Sequence, residues 1–306
     1  MQSHGRLILS QHNKTKMSTI KTALRVRPFL PSELAQHYTN SRLALLPERR
    51  EVTLREEGGA QKRTFRFDYL LGQDCEQEAV YAQCGVGEMI GKALEGYHST
   101  IFAYGQTGSG KTFTMQGEEA PSEAGALSGI IPRLARALFE KVAALRATRS
   151  YTISLSFLQI YSEKIYDLLN PSSLNNKTLL LNANQLEGLR LRWSKDEQFT
   201  VENLFLFECK NEGELLRHFQ AGLKNRINAT HKLNLQSSRS HSILSIRIES
   251  FDLADPSHLR TSRIELVDLA GSERLSMTGT EGKLAKESID INKSLFTLRQ
   301  VINVLS

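Results

Sequence analysis

Gly105-Gln106-Thr107-Gly108-Ser109-Gly110-Lys111-Thr112 satisfies in full the Gly-x-x-x-x-Gly-Lys-Ser/Thr pattern of a phosphate-binding loop. Glycines at 105, 108 and 110 let the backbone turn tightly and aim its N–H groups, those of Gln106, Thr107 and Ser109 included, at phosphate oxygens. Lys111 supplies a positive charge for the outer phosphates, and Thr112 a hydroxyl for a magnesium ion. The flanks agree with the motif. His98 to Tyr104 is a short β-branched and aromatic run expected to form a buried strand, and Lys111-Thr-Phe-Thr-Met115 can open a helix whose N-terminus favours an anion. Strand, loop and helix together imply a bound nucleoside triphosphate.

The surrounding sequence sets the frame. A chain of 306 residues, 40% hydrophobic and 24% charged, has an ordinary globular composition, enough for one large domain or two small ones with a real core. Cys75, Cys84 and Cys209 lack metal-type spacing and fit structural or incidental thiols in a reducing compartment. No apolar stretch approaches a membrane span, and no sustained apolar segment at the amino terminus suggests a secretory signal. The net charge of +6 is no sign of a nucleic-acid partner. Arg6, Lys14, Lys16, Lys21, Arg25 and Arg27 account for all of it within residues 1–27, so the remainder sums to zero. Residues 1–18 read as a basic leader expected to be disordered, a solvated tail.

Strand and helix signals then alternate. Strands are expected at Ile20–Val26, at residues 51–55 and 62–67 around a Glu-Glu-Gly-Gly turn, and at Tyr151–Ile160, Ile243–Ser250 and Arg263–Val267. Helical spacing covers Glu76–Leu94, Ile130–Leu145, Glu212–Lys224 and Lys283–Leu305, and Glu118–Ser128 reads as an exposed insertion. Such alternation predicts an open α/β sheet.

Two segments further along carry polar groups suited to a phosphate. Asn234-Leu-Gln-Ser-Ser-Arg-Ser-His241 is dense in hydroxyls around Arg239. Hydroxyls such as those of Ser237 and Ser238 can complete a magnesium shell, although such a segment taken alone is more often a capped turn than a catalytic loop. Glu265-Leu-Val-Asp-Leu-Ala-Gly-Ser-Glu273 is sharper: a strand ends at Asp268, whose carboxylate can hold the magnesium shell. Gly271 can bring its N–H close to a terminal phosphate, and Glu273 could pair with Arg239 around an attacking water.

Taken in order, Arg25-Val-Arg-Pro28, GQTGSGKT, Tyr166-Asp-Leu-Leu169, NLQSSRSH, DLAGSE and Ile291-Asn-Lys-Ser-Leu295 resemble a kinesin motor domain, from about residue 19 to the last residue. The resemblance implies an α/β phosphate-loop NTPase with a central, mostly parallel β-sheet flanked by helices on both faces. It also implies ATP and Mg2+ as ligands, microtubules as partner, and a cytoplasmic, cytoskeletal location. Arg25, Arg27 and Pro28 resemble the adenine-side contacts, and Phe113 stands where an aromatic ring often stacks on the base. Lys111 resembles the phosphate lysine; Thr112, Ser238 and Asp268 resemble the magnesium ligands. Ser237, Ser238 and Arg239 resemble the first switch, Gly271 and Glu273 the second, with the Arg239–Glu273 pair a gate on the lytic water.

Leu284, Ile291, Leu295, Leu298, Ile302 and Leu305 fall on one stripe of the last helix at about 100° per residue. Lys283, Lys286 and Lys293 lie opposite, with Asp290 among them. That face is either a solvated amphipathic surface or, by the resemblance, the contact with tubulin, and Met277 replaces a lysine common in the preceding loop. The resemblance also implies a sheet incomplete at the carboxyl end, because a further strand, helices and neck linker follow this point in the family. A gap beside the strand carrying Arg25 and a poorly stable chain are therefore expected. Two functions stay open on sequence, a microtubule-stimulated ATPase and a microtubule- or kinesin-binding fragment without turnover, whereas Arg25-Val-Arg-Pro28 and the serine-rich segment argue against an unrelated phosphate-loop ATPase or GTPase.

Overall fold

The computed structural model describes residues 20–37, 39, 41–55, 62–118, 125–170, 188–193, 199–233, 237–273 and 283–305. The leader 1–18, the Glu56–Gly59 turn, residues 119–124 of the insertion, Asn234–Gln236 and Met277 lie outside them.

The described chain begins with strand β1 (Ala23–Arg25) and the short helix α1 (Pro31–Ala35). An antiparallel three-stranded sheet follows, β2 (Leu43–Leu46), β3 (Glu51–Arg55) and β4 (Lys62–Arg66), and then β5 (Tyr69–Leu71) returns to pair parallel with β1. The helix expected over Glu76–Leu94 is two, α2 (Gln77–Gln83) and α3 (Val86–Leu94). Gly85 sits between them at φ 72°, and a left-handed residue ends one helical ladder before the next begins.

Then come β6 (Ser99–Ala103), α4 (Lys111–Gln116), α5 (Ile130–Leu145), β7 (Arg149–Tyr161) and β8 (Lys164–Asp167). The short strands β9 (Leu191–Trp193), β10 (Phe199–Val201) and β11 (Phe207–Glu208) lead to α6 (Glu212–Leu233), which runs well beyond its expected end. Strands β12 (His241–Asp252) and β13 (Arg260–Asp268) and helix α7 (Lys283–Leu305) complete the order.

The central sheet runs β11-β7-β12-β13-β6, with β8 paired to β7. It is mixed, not mostly parallel: β13 and β6 are parallel, whereas the β11–β7, β7–β12, β12–β13 and β7–β8 pairs are antiparallel. The connections explain the difference. Residues 253–259 between β12 and β13 are too few for a crossover helix, and β7 turns into β8 through Ser162 and Glu163, both at positive φ as a tight hairpin requires. Among the described residues, β6 pairs with β13 alone and β1 with β5 alone.

Alternation sorts the two faces of the sheet. Leu244, Ile246 and Ile248 of β12 and Ile264 and Leu266 of β13 are buried with Ile90 of α3, Leu134 and Leu138 of α5 and Leu215 of α6. Complete burial of a leucine such as Leu138 contributes about 1.5–3 kcal/mol. The intervening residues Ile243, Ser245 and Arg247 face the other way, where α7 lies across the sheet over a cavity of about 580 Å³. Only part of the expected stripe on α7 is covered. Leu295 and Leu298 line that cavity and Ile291 is half-buried, but Ile302 and Leu305 are exposed, as are Phe296, Val301 and Val304.

Candidate nucleotide site

Strand β6 runs straight into the phosphate loop and the loop into α4. Gly108 and Gly110 hold φ of 76° and 92°, and Gly110 occupies the position just before α4. A side chain at either would meet open space, so what glycine supplies there is the left-handed backbone itself. Lys111 Nζ donates to the carbonyls of Gly105 (2.9 Å) and Gln106 (3.0 Å), which fixes the ammonium over the loop. Burial lowers its pKa, and the charges of Asp268 and Glu273 work against that fall.

The parallel pairing of β13 with β6 brings Asp268 beside Ala103, and Leu269 N–H continues the ladder to the Ala103 carbonyl at 3.2 Å. Thr112 Oγ1 consequently donates to Asp268 Oδ2 at 2.7 Å, joining residues 156 apart in the chain. Asp268 is almost fully buried, and Arg226 of α6 donates to the same oxygen at 3.2 Å. Asp268 Oδ1 is buried and makes no hydrogen bond among the described residues. A free carboxylate oxygen next to a hydroxyl is the hard-oxygen donor set that magnesium prefers, so these residues fit the ion.

The turn after β13 is stitched to both neighbours. Gly271 N–H donates to the Ser238 carbonyl at 2.8 Å, and Ser272 N–H to the Gly105 carbonyl at 3.1 Å. A Cβ at Gly271 would collide with Thr107 Oγ1 and the Glu273 carboxylate, so a side chain there would have to displace that hydrogen-bonded pair. Glu273 accepts from Thr107 N–H (2.9 Å) and Thr107 Oγ1 (2.5 Å), which sequence did not anticipate. Burial pushes its carboxyl upward, but the Thr107 bonds and Lys111 outweigh this and leave the pKa lowered. Ser237–Arg239 forms a single 3₁₀ turn leading into β12. His241 opens that strand, and burial takes its imidazole down to about 4 despite the nearby Asp268.

At the other end of α4, Arg25 donates to Gln77 Oε1 (2.8 Å), Thr114 Oγ1 (2.9 Å) and the Cys75 carbonyl (3.1 Å), with its guanidinium 5.5 Å from the Phe113 ring centroid. Arg25 and Phe113 therefore share one corner, with the ring 37% exposed. Arg27 turns elsewhere, to Glu33 (2.6 Å) and the Pro28 carbonyl (2.8 Å). On α7, Lys293 pairs with Glu163 at 2.5 Å and Asp290 accepts from Ser162 at 2.9 Å, so this flank of the expected lysine face meets the β7–β8 turn. Lys283 and Lys286 belong to the helix, but their side chains lie outside the description. Sequence reasoning missed Arg226 and His241; the adjacent polar pair Asn225-Arg226, buried on an amphipathic helix, was the available signal.

A phosphate loop carrying Lys111, a hydroxyl–carboxylate pair at its base and a glycine turn beside it define a phosphate-loop NTPase. The family model described as "Kinesin motor domain" matches residues 25–306, and the chain belongs to that family. Kinesin-related protein 3 of Dictyostelium discoideum is 35% identical over 290 residues, 95% of this chain and 23% of that protein. Kinesin-like protein KIF15 of Mus musculus is 36% identical over 292 residues, 94% of this chain and 20% of that protein. The chain thus spans about a fifth to a quarter of these curated relatives. The solved structure of a fast kinesin superposes with a TM-score of 0.77 at 29% identity, covering 90% of this chain and 72% of that one. Among the described residues, no helix is long and apolar enough to cross a membrane.

Proposed function

We propose that this chain hydrolyses ATP with magnesium, is stimulated by microtubules, and passes the state of its nucleotide to a tubulin-facing α7, as part of a microtubule-associated, cytoplasmic motor. The observation that carries the reading is the 2.7 Å bond between Thr112 and Asp268, which joins the phosphate loop to the end of β13 where a magnesium ion is required. Phosphoryl transfer needs positioning and charge stabilisation more than covalent chemistry, and these residues supply both.

The roles proposed here join the observed positions to the family resemblance. Gln106, Thr107 and Ser109 present loop amides, Lys111 holds the outer phosphates, and Thr112, Ser238 and Asp268 hold the ion. Magnesium, when bound, neutralises charge on the outer phosphates. The Arg25–Phe113 corner receives the base, with Arg27 and Pro28 at its margin. Gly271 offers its N–H to a terminal phosphate, which must first draw it from the Ser238 carbonyl. Ser237 and Arg239 complete the first switch, and Glu273 closes with Arg239 on the attacking water once it leaves Thr107. Lys283, Lys286 and Lys293 form the candidate tubulin face. Phosphate release by the purified chain, with and without microtubules and with ATP competed by GTP, tests the reading. Stimulated release specific for ATP is expected; release indifferent to microtubules refutes the partner.

A further inference from the structure

His241 makes two hydrogen bonds in opposite directions. Its Nδ1 lies 3.0 Å from the N–H of Ala270, the residue before Gly271, and its Nε2 lies 2.8 Å from Ser294 Oγ on α7. An amide N–H can only donate, so Nδ1 is the acceptor and the ring proton sits on Nε2. Nε2–H then donates to Ser294, whose hydroxyl donates in turn to the Ile291 carbonyl at 2.7 Å. Donors and acceptors agree at each step from the turn to the body of the helix. Ala270 is fully buried and His241 8% exposed, so the imidazole fills a fixed position between the two elements.

We infer that His241 is a positioning residue, a rigid pin through which displacement of the Ala270–Gly271 turn is transmitted to α7. The consequence for microtubules rests on the function proposed above; the mechanical link does not. Gly271 N–H is held by Ser238 and Ala270 N–H by His241, so neighbouring amides anchor one turn to two partners. A phosphate that draws Gly271 away moves Ala270 with it, and the ring is the hydrogen-bonded path from there to Ser294. The other polar contacts of α7 described above, Asp290 with Ser162 and Lys293 with Glu163, end on the β7–β8 turn, away from the nucleotide.

Two substitutions cut the pin at different ends. Ser294→Ala removes the helix-side acceptor at an exposed position; His241→Asn keeps an acceptor near Nδ1 but is too short for Ser294. Each is expected to lower the ratio of microtubule-stimulated to basal phosphate release about fivefold, the scale of one hydrogen bond. The double variant should be no worse than either single one, Ser294→Thr should restore the ratio, and Ser294→Ala should leave basal release within about twofold of the parent. Hydrogen exchange of the α7 amides, compared between magnesium ADP and a non-hydrolysable ATP analogue, reads the link without microtubules. The parent should show a nucleotide-dependent difference that Ser294→Ala abolishes. A parent without microtubule stimulation but with that difference overturns the proposed function and supports the pin. A parent lacking the difference, variants that retain it, or effects that multiply in the double variant overturn the pin. If His241→Asn does not fold, Ser294→Ala with its threonine rescue decides alone.

Discussion

Glu273 is held at the phosphate loop by two bonds from Thr107, one from the backbone and one from the hydroxyl. The catalytic role proposed for it in a pair with Arg239 requires it to give up both, and on that proposal it would contribute to turnover and not to holding nucleotide. Glu273→Ala should keep nucleotide affinity within about threefold while single-turnover hydrolysis falls by about a hundredfold or more, the scale of one lost stabilising group. Lys111→Ala should behave in the opposite sense, losing about 2–3 kcal/mol of binding in a direct titration, because its charged bonds serve ground state and transition state alike. The thiols give a pH prediction at the same scale. Burial moves Cys84 and Cys209 from about 9 up to about 11. For an acid, a raised native pKa means the protonated thiol persists as pH climbs, and the thiolate appears only towards pH 11. At pH 8 their alkylation by iodoacetamide should run about a hundredfold slower than that of an ordinary thiol and rise about tenfold per pH unit. Rapid labelling of both at pH 8 in the folded chain contradicts the burial assigned to them.

Elements were legible where their signals are local. The apolar spacing of Ile130–Leu145 gave α5 its bounds directly, and the strands around Asp268 were visible as β-branched runs. The break between α2 and α3 was not, because it depends on the backbone sign at Gly85, and a glycine inside a helical pattern is equally compatible with continuation. A Cβ at Gly85 meets only Tyr69 Oη at 3.5 Å, an ordinary contact, so substitution there acts through conformation. Gly85→Ala should lower stability by about 1–2 kcal/mol, read as a reduced urea midpoint with unchanged slope. If that variant is as stable as the parent, the left-handed joint is not a constraint. Helix α7 gives a contrasting case. Its Lys293–Glu163 pair is exposed, with 67% and 58% of the side chains accessible, and water screens such pairs so that they add little to stability. Lys293→Glu should therefore change melting little. If the lysine face meets the filament, the same change combined with Lys286→Glu should weaken microtubule affinity at moderate salt, and unaltered cosedimentation removes that face from consideration.

At the scale of the molecule, the site is an assembly of distant segments, and this set the limit on what could be read beforehand. Each motif announced its own chemistry; none announced its partner. The loop residues, Asp268 and Gly271 were readable because their residue types fit a phosphate, but Arg226 on Asp268, Thr107 on Glu273 and His241 between Ala270 and Ser294 exist only once the sheet order is set. Strand direction was hidden for the same reason: alternation reports which face is buried and is blind to whether a neighbour runs parallel. On the proposed function, the same long-range closure would make nucleotide a stabilising ligand of the whole chain, since it would bridge the phosphate loop, the end of β13 and the Ser237–Arg239 turn. Magnesium ATP at a hundred times its dissociation constant should add about 2.7 kcal/mol to the folded state, raising Tm by about 5 °C in a chain of this size. Thr112→Val keeps the shape of the side chain and removes the hydroxyl that donates to Asp268. In that variant the thermal shift should shrink and become indifferent to EDTA, because the metal's share of the linkage is gone while the loop amides and Lys111 remain. A shift of parental size that still collapses on adding EDTA places the ion away from Thr112 and Asp268, and with it the chemistry assigned to this junction.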